Sequence, residues 1–203
     1  MNIEKIISYD MDQNCYLIYD DNNVGAIIDP GLDTFKILKT IEDKKVDVKY
    51  ILLTHAHYDH TFSVNELRGH KIIIGTKECS DNIKNTGYNL SEFACKPFKI
   101  DGVDKEIADG EIFNVGDIKI TAIKTPGHSN CSVCYLIGDN LFSGDTLFLR
   151  SVGRCDLPTG NFNELENSIK TKLYTLPDET KVYPGHGADT SIGYEKKYNM
   201  YIN

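Results

Sequence analysis

Four metal-binding side chains lie within six residues at the end of an apolar segment, and this cluster constrains the chain more than any other feature. His55, His57, Asp59 and His60 follow residues 50–53, whose apolar run is typical of a buried strand. Since residues two apart in an extended segment point the same way, His55 and His57 can bind one metal ion side by side. Asp59 and His60 fall at the start of the next predicted helix and can turn toward a second ion.

Three later segments repeat one arrangement: an apolar strand, a turn of small residues, then a donor side chain. The donors are His128 after strand 118–123, Asp145 after strand 141–142 and His186 after strand 181–183. Strand ends at one edge of a sheet can converge on one point. Imidazole and carboxylate donors suit zinc, iron or manganese, and no thiolate is required. We therefore predict a metal centre formed by all seven residues, although each of them alone has an ordinary structural explanation.

The composition limits the classes of partner. The chain has 203 residues, a net charge of −8 and 40% hydrophobic residues, enough to bury a core. Nucleic acids and anionic membranes bind basic faces, so the acidic balance argues against both. No signal peptide or transmembrane stretch is evident, and we expect a cytoplasmic protein with reduced cysteines. Cys131 and Cys134 form one C-x-x-C pair, which fits two small core residues entering a strand.

Strands predominate among the predicted elements, with helices between some of them. Apolar runs predict strands at residues 15–19, 24–28, 50–53, 71–74, 111–113, 118–123, 133–137, 141–142 and 181–183. Helical spacing predicts helices at residues 33–43, 61–68, 163–173 and 192–201. Residues 80–100 are irregular, and their Tyr88 and Phe93 either line a pocket or lie in the core. This pattern indicates an α/β domain with mixed sheets.

The sequence resembles the metallo-β-lactamase superfamily. Residues 55–60 are similar to its H-x-H-x-D-H signature, and residues 125–128, 143–148 and 183–186 resemble its later motifs in the right order. Residues 29–31 resemble its first motif. The resemblance is strongest to the glyoxalase II-like group, whose short bacterial members have a loop similar to residues 153–160.

This resemblance implies one domain over residues 1–203, an αββα four-layer sandwich of two mixed β-sheets flanked by helices. It implies two divalent metal ions, zinc foremost, with iron or manganese as alternatives. The first site would take His55, His57 and His128, the second Asp59, His60 and His186, and Asp145 would bridge them. It also implies that the helical domain with which full-length glyoxalase II enzymes contact glutathione is absent, which leaves the thiol carrier open.

The function implied is hydrolysis of a small-molecule thioester, in the manner of a hydroxyacylglutathione hydrolase. A hydroxide shared by the two ions would attack the acyl carbon, and Asp59 and Asp145 would orient it through its proton. Arg154 is a candidate contact for a substrate carboxylate, or else forms a structural ion pair with Asp156 or another acid. Tyr88 and Phe93 are candidate substrate contacts from the irregular segment.

Two alternative functions stay open. A persulfide dioxygenase resembles this chain in fold and in its G-R-x-D loop, and it would use one iron held by His55, His128 and Asp145. Metal content and oxygen uptake separate it from a hydrolase. A non-enzymatic metal-binding module is the third hypothesis, but such a module has little need of all seven donors. The sequence makes no prediction of oligomeric state.

Overall fold

Two six-stranded β-sheets form the centre of the protein, which the computed structural model describes over residues 1–202. The strands of the first sheet are β1 (Asn2–Ile7), β2 (Asn14–Tyr19), β3 (Val24–Ile28), β4 (Asp47–Leu52), β5 (Ile72–Gly75) and β6 (Lys105–Glu106). They lie in this order across the sheet. The pairs β1–β2 and β2–β3 are antiparallel, and the strands from β3 to β6 are parallel.

The second sheet continues the chain. Its strands are β7 (Ile112–Val115), β8 (Ile118–Lys124), β9 (Val133–Ile137), β10 (Asn140–Gly144), β13 (Lys181–Pro184) and β14 (Thr190–Ser191). A separate hairpin of β11 (Leu147–Phe148) and β12 (Ser151–Val152) follows β10. The order across the sheet is β14-β13-β10-β9-β8-β7, with β10 and β13 parallel and the other pairs antiparallel. Both sheets are mixed, which confirms the prediction.

Six α-helices lie among residues 1–202. They are α1 (Thr34–Lys44), α2 (Tyr58–Thr61), α3 (Val64–Leu67), α4 (Lys77–Asn82), α5 (Phe162–Ser168) and α6 (Ile192–Tyr198). A π-helical turn, Ile169–Leu173, extends α5, and a 3₁₀ turn, Ser91–Phe93, lies in the irregular segment. Among the residues described, no helix has the length and apolar character needed to cross a membrane.

Two predicted helices differ from the structure. The helix predicted at residues 61–68 is divided into α2 and α3, because the backbone N–H of Ser63 donates to Pro30 O at 3.0 Å instead of to a carbonyl of the preceding turn. The helix predicted at 192–201 ends at Tyr198, because Asn199 adopts an extended conformation and its Oδ1 atom accepts the backbone N–H groups of Tyr201 at 3.0 Å and Ile202 at 3.2 Å. In both cases a backbone N–H that would continue the helix donates to an acceptor outside it, which at Asn199 is a side chain.

Alternating side chains of the strands build three apolar layers. Ile18 and Ile28 of the first sheet face Ile120 and Tyr135 of the second. The opposite face of the first sheet packs against α1, α3 and α4, through Leu17, Ile27, Ile51, Ile37, Leu67 and Cys79. The opposite face of the second sheet packs against α5 and α6, through Cys134, Leu141, Val182, Leu165 and Ile192. The αββα sandwich is therefore confirmed.

One edge of this sandwich gathers the ends of the strands that precede the predicted donors. The parallel strands β3 and β4 end there, and β8, β10 and β13 of the second sheet run in one direction and end there too. Backbone hydrogen bonds join the two sheets at this edge, from Val133 N to Thr54 O at 2.8 Å and from Asn14 N to Gly185 O at 2.7 Å. The donors of both sheets are thereby held on the same side.

Gly127, in the turn before His128, has a φ of +142°. A Cβ atom added here would clash with the backbone of Leu165 in α5. We expect Gly127→Ala to lower the free energy of unfolding by about 3 kcal/mol or more, from backbone strain and steric conflict together. Gly138→Ala is the control: φ is +56° with no heavy atom within 4 Å of the added Cβ, and we expect a loss of about 1 kcal/mol. Urea titration measures both, and equal losses would contradict the steric explanation.

Candidate metal centre

All seven predicted donors lie together at the shared edge of the two sheets. The two predicted triads, His55–His57–His128 and Asp59–His60–His186, each have donor atoms within 4.8 Å of one another, as does a third group of Asp29, His55 and His60. Asp145 lies between the triads, with its Oδ2 atom 3.6 Å from His128 Nε2 and 3.7 Å from His186 Nε2. These are the two donor sets and the bridging position that the family resemblance implies.

Asp29 anchors the first cluster of donors. Its carboxylate accepts hydrogen bonds from Thr54 N at 2.7 Å and from Thr54 Oγ1 at 2.5 Å, just beyond the end of β4. The second of its oxygens lies 2.9 Å from His60 Nδ1, so the His60 Nε2 atom is left facing the centre. Asp29 itself has a φ of 49°, a strained value for this residue. The carboxylate thus orients a donor from outside the centre, as is usual for metal-binding histidines.

Three other rings are oriented in the same manner. The Nδ1 atom of His128 donates to Arg154 O at 2.8 Å, and that of His186 donates to Met11 O at 3.1 Å. His55 Nδ1 lies 3.0 Å from Thr54 Oγ1. In each case the Nε2 atom remains available to the centre. Outer hydrogen bonds of this kind hold the ring and its tautomer ready for metal binding.

The donor set fits divalent metal ions. The facing nitrogens of His57 (Nδ1) and His128 (Nε2) are 2.9 Å apart, and those of His60 and His186 (both Nε2) are 3.2 Å apart. The Nε2 atom of His55 is buried without a hydrogen-bond partner. Converging nitrogen lone pairs beside buried carboxylates are costly without a cation. Imidazoles and carboxylates without a thiolate suit zinc, iron or manganese, and the geometry does not choose among these metals.

The protonation of the first triad favours metal binding. Burial lowers the pKa of His55 well below its usual value, and it lowers that of His57 to about 3, with His128 adding to the effect. Both rings are therefore neutral at physiological pH, which is the form that binds metal ions.

At His60 and Asp145, neighbouring charges outweigh burial and favour the ionised form of each side chain. Burial opposes protonation of His60, but Asp145 and Asp59 outweigh it and raise the pKa of that ring. Burial also opposes ionisation of Asp145, but His60, His128 and His186 outweigh it and hold the pKa of the carboxyl well below its usual value. Asp145 is therefore an ionised carboxylate at the centre of the site, where it attracts a cation.

A cavity of about 500 Å³ opens above the donors. Besides metal-centre residues, its lining consists of Met11, Tyr58, Leu90, Phe93, Phe148, Ser151, Val152, Arg154 and Leu157. Phe93 and Arg154 were expected there from the sequence. Tyr88 is not among the lining residues and is 46% exposed, so it lies neither in this pocket nor in the core. Tyr58, between His57 and Asp59, lies on the cavity wall instead.

Sequence reasoning missed most of the cavity wall. Tyr58 had a signal, since it interrupts the first donor cluster, and its hydroxyl donates to Met11 Sδ at 3.1 Å. Met11, Leu90 and Phe148 come from three distant segments with no pattern that distinguishes them from core residues. Arg154 makes two hydrogen bonds of 2.7 Å to Asp156, so the ion pair considered from the sequence is present.

Comparison with known proteins agrees with this geometry. A sequence model of the metallo-beta-lactamase superfamily matches residues 9–186. The chain belongs to the metallo-β-lactamase superfamily. Among its relatives, hydroxyacylglutathione hydrolase GloC of Haemophilus influenzae is 34% identical over 213 residues, covering 100% of this chain and 99% of that protein.

Solved structures of the superfamily share the whole architecture. The B3 metallo-β-lactamase BLEG-1 aligns with a TM-score of 0.94 at 30% identity, covering 100% of both chains. ETHE1 from Myxococcus xanthus aligns with a TM-score of 0.82 at 29% identity, covering 98% of this chain and 84% of that one. The predicted metallo-β-lactamase fold is therefore confirmed.

In this member of the superfamily, the turn that carries His186 is held by the beginning of β2. The side-chain amide of Asn14 donates to Pro184 O at 2.9 Å and to Gly187 O at 3.0 Å, on both sides of His186. The hydroxyl of Tyr16 donates to Pro184 O at 2.7 Å. The bonds from Asn14 fix the backbone on both sides of His186, whose side chain is 25% exposed.

We expect Asn14→Ala to weaken binding of the second metal equivalent by about 10- to 100-fold, the usual effect of removing an outer partner of a donor. The first equivalent, at the triad containing His55, should bind unchanged. Titration with Co²⁺, followed by its absorption spectrum, separates the two equivalents. Asn22→Ala is the control, because the Asn22 amide reaches only exposed Asp117 at 3.1 Å. Unchanged affinity for both equivalents in Asn14→Ala would contradict the positioning role.

Proposed function

We propose that this protein is a binuclear metallo-hydrolase that cleaves thioesters of small hydroxy acids. The observation that carries the proposal is the pair of facing donor triads with the ionised carboxylate of Asp145 between them. Full-length similarity to a hydroxyacylglutathione hydrolase supports the choice of bond. A small-molecule substrate stays a prediction from the family resemblance, and the lack of a nucleic-acid or membrane partner stays a prediction from the acidic composition. The cytoplasmic location stays a prediction from the sequence.

The chemistry of the site follows from its donors. When bound, divalent ions supply Lewis acidity and lower the pKa of water toward neutrality. Asp145 and Asp59 are both held ionised by neighbouring histidines although both are buried, so each can accept a hydrogen bond from a nucleophilic water. Such bonds would orient the lone pair of the water toward an acyl carbon in the cavity above. A thiolate is a good leaving group, so no strong general acid is required.

The proposal is tested by metal analysis of protein purified without added metal, together with hydrolysis assays on S-lactoyl thioesters. We expect two equivalents of metal and release of free thiol. His55→Ala and Asp145→Ala should each lower kcat/KM by about 1,000-fold or more, because metal-ion stabilisation is worth several kcal/mol. His70→Ala and Asp101→Asn are the controls, since both side chains are exposed and outside the centre.

One equivalent of iron, with oxygen uptake and no thioester cleavage, would reject this proposal and favour the persulfide dioxygenase. Metal binding without either activity would favour a binding module. Full activity in His55→Ala or Asp145→Ala would contradict the roles given to these residues.

A further inference from the structure

Large apolar side chains form most of the cavity wall, and two of them are exposed to solvent. Phe93 is 74% exposed and Met11 is 49% exposed, although both lie beside a buried polar centre. Phe148 stands with its ring centroid 6.2 Å from that of His186. Exposed apolar surface gathered at the mouth of a cavity marks a surface that a ligand covers.

Charge is nearly absent from these walls. Outside the metal centre, Arg154 is the one charged residue among the described residues that line the cavity. Its guanidinium is already committed to Asp156, through Nε to Oδ1 and Nη2 to Oδ2, both at 2.7 Å. The same pair lowers the pKa of Asp156 to about 2, so that carboxylate stays ionised over the working pH range. The one cation on these walls is therefore already paired with an acid, which weakens its attraction for a substrate anion.

Binding of a thiol carrier that has carboxylates would be energetically unfavourable at these walls. Glutathione has two carboxylates and one ammonium, and a carboxylate placed against Phe93, Leu90 or Met11 would lose water without gaining a partner. The net charge of −8 on the protein adds a general repulsion. An uncharged thiol arm avoids both costs and covers the exposed apolar surface.

We propose that the thioester substrate of this site has an uncharged, largely apolar thiol arm, of the N-acylated cysteamine or thiol-amide kind, packed against Met11, Leu90, Phe93, Phe148 and Leu157. The inference rests on the proposed thioester hydrolysis. In that reaction the water oxygen bonds to the acyl carbon and the carbon–sulfur bond breaks. The sulfur leaves with the bonding electron pair, and the products are the hydroxy acid and the free thiol.

The test uses two S-lactoyl thioesters of equal size that differ only in charge, those of 3-mercaptopropionamide and 3-mercaptopropionate, with S-lactoylglutathione as a third substrate. We expect the KM of the amide to be about tenfold lower than that of the carboxylate, since an unpaired buried charge is costly. Equal KM values, or a kcat/KM highest for S-lactoylglutathione, would overturn the inference while leaving thioester hydrolysis in place. No turnover of any of the three would reject the proposed function itself, and this inference with it.

Two exposed phenylalanines provide a matched pair of variants. Phe93→Ser should raise the KM for the amide thioester about tenfold, because it removes apolar contact area from the wall. Phe35→Ser is the control, since Phe35 is 76% exposed but lies on α1, outside the cavity lining. Equal effects of the two substitutions would contradict contact between the thiol arm and Phe93.

Asp156→Asn tests the charge argument independently. The substitution releases Arg154 from its ion pair, so the guanidinium becomes available to the carboxylate substrate. We expect the KM for the 3-mercaptopropionate thioester to fall about fivefold, the scale of one solvent-exposed ion pair, and the KM for the amide to stay the same. An unchanged KM for the carboxylate would show that the committed Arg154 is not what disfavours anionic arms.

Discussion

The carboxylate of Asp29 is the point on which the metal centre depends. Asp29 directly follows β3. Its carboxylate accepts hydrogen bonds from the backbone N–H and the hydroxyl of Thr54, just beyond β4, and it fixes the ring of His60. Thr54 in turn lies beside His55 and accepts the backbone N–H of Val133 from the second sheet. One buried acid thus links two strand ends, two donor histidines and the contact between the sheets. Because a buried carboxylate must be fully paired, this arrangement tolerates little displacement.

The residues that orient the donors also form the cavity wall. The carbonyl of Met11 orients His186 while its side chain lines the cavity, and Arg154 has the same double role toward His128. Movement of either loop would therefore change both metal geometry and substrate contact. Metal affinity and substrate selectivity are physically linked in this protein, and substitutions in the wall are expected to affect more than binding of the substrate.

The floor and the walls of the cavity differ in charge. At its floor, the ionised Asp145 and the neutral imidazoles of His55 and His57 provide strong binding for cations. Above the floor, the described wall residues are apolar, apart from an arginine already paired with an acid. In the proposed reaction, the polar floor would hold the reacting acyl group and the apolar wall a part of the substrate that does not react. Binding energy gained on that wall can position the acyl group for attack.

Local patterns in the sequence were sufficient to predict most strands, the mixed sheets and seven candidate donors that the fold brings together, and the family resemblance indicated the αββα sandwich. Strands and donor motifs are specified by neighbouring residues: apolar alternation defines a strand, and the donor follows directly at its end. These patterns did not predict the break at Ser63 or the place of Tyr58, rather than Tyr88, on the cavity wall. They also did not predict the roles of Met11 and Asn14 in positioning His186. Each depends on hydrogen bonds or packing between residues far apart in the chain, and such contacts exist only once the two sheets have come together.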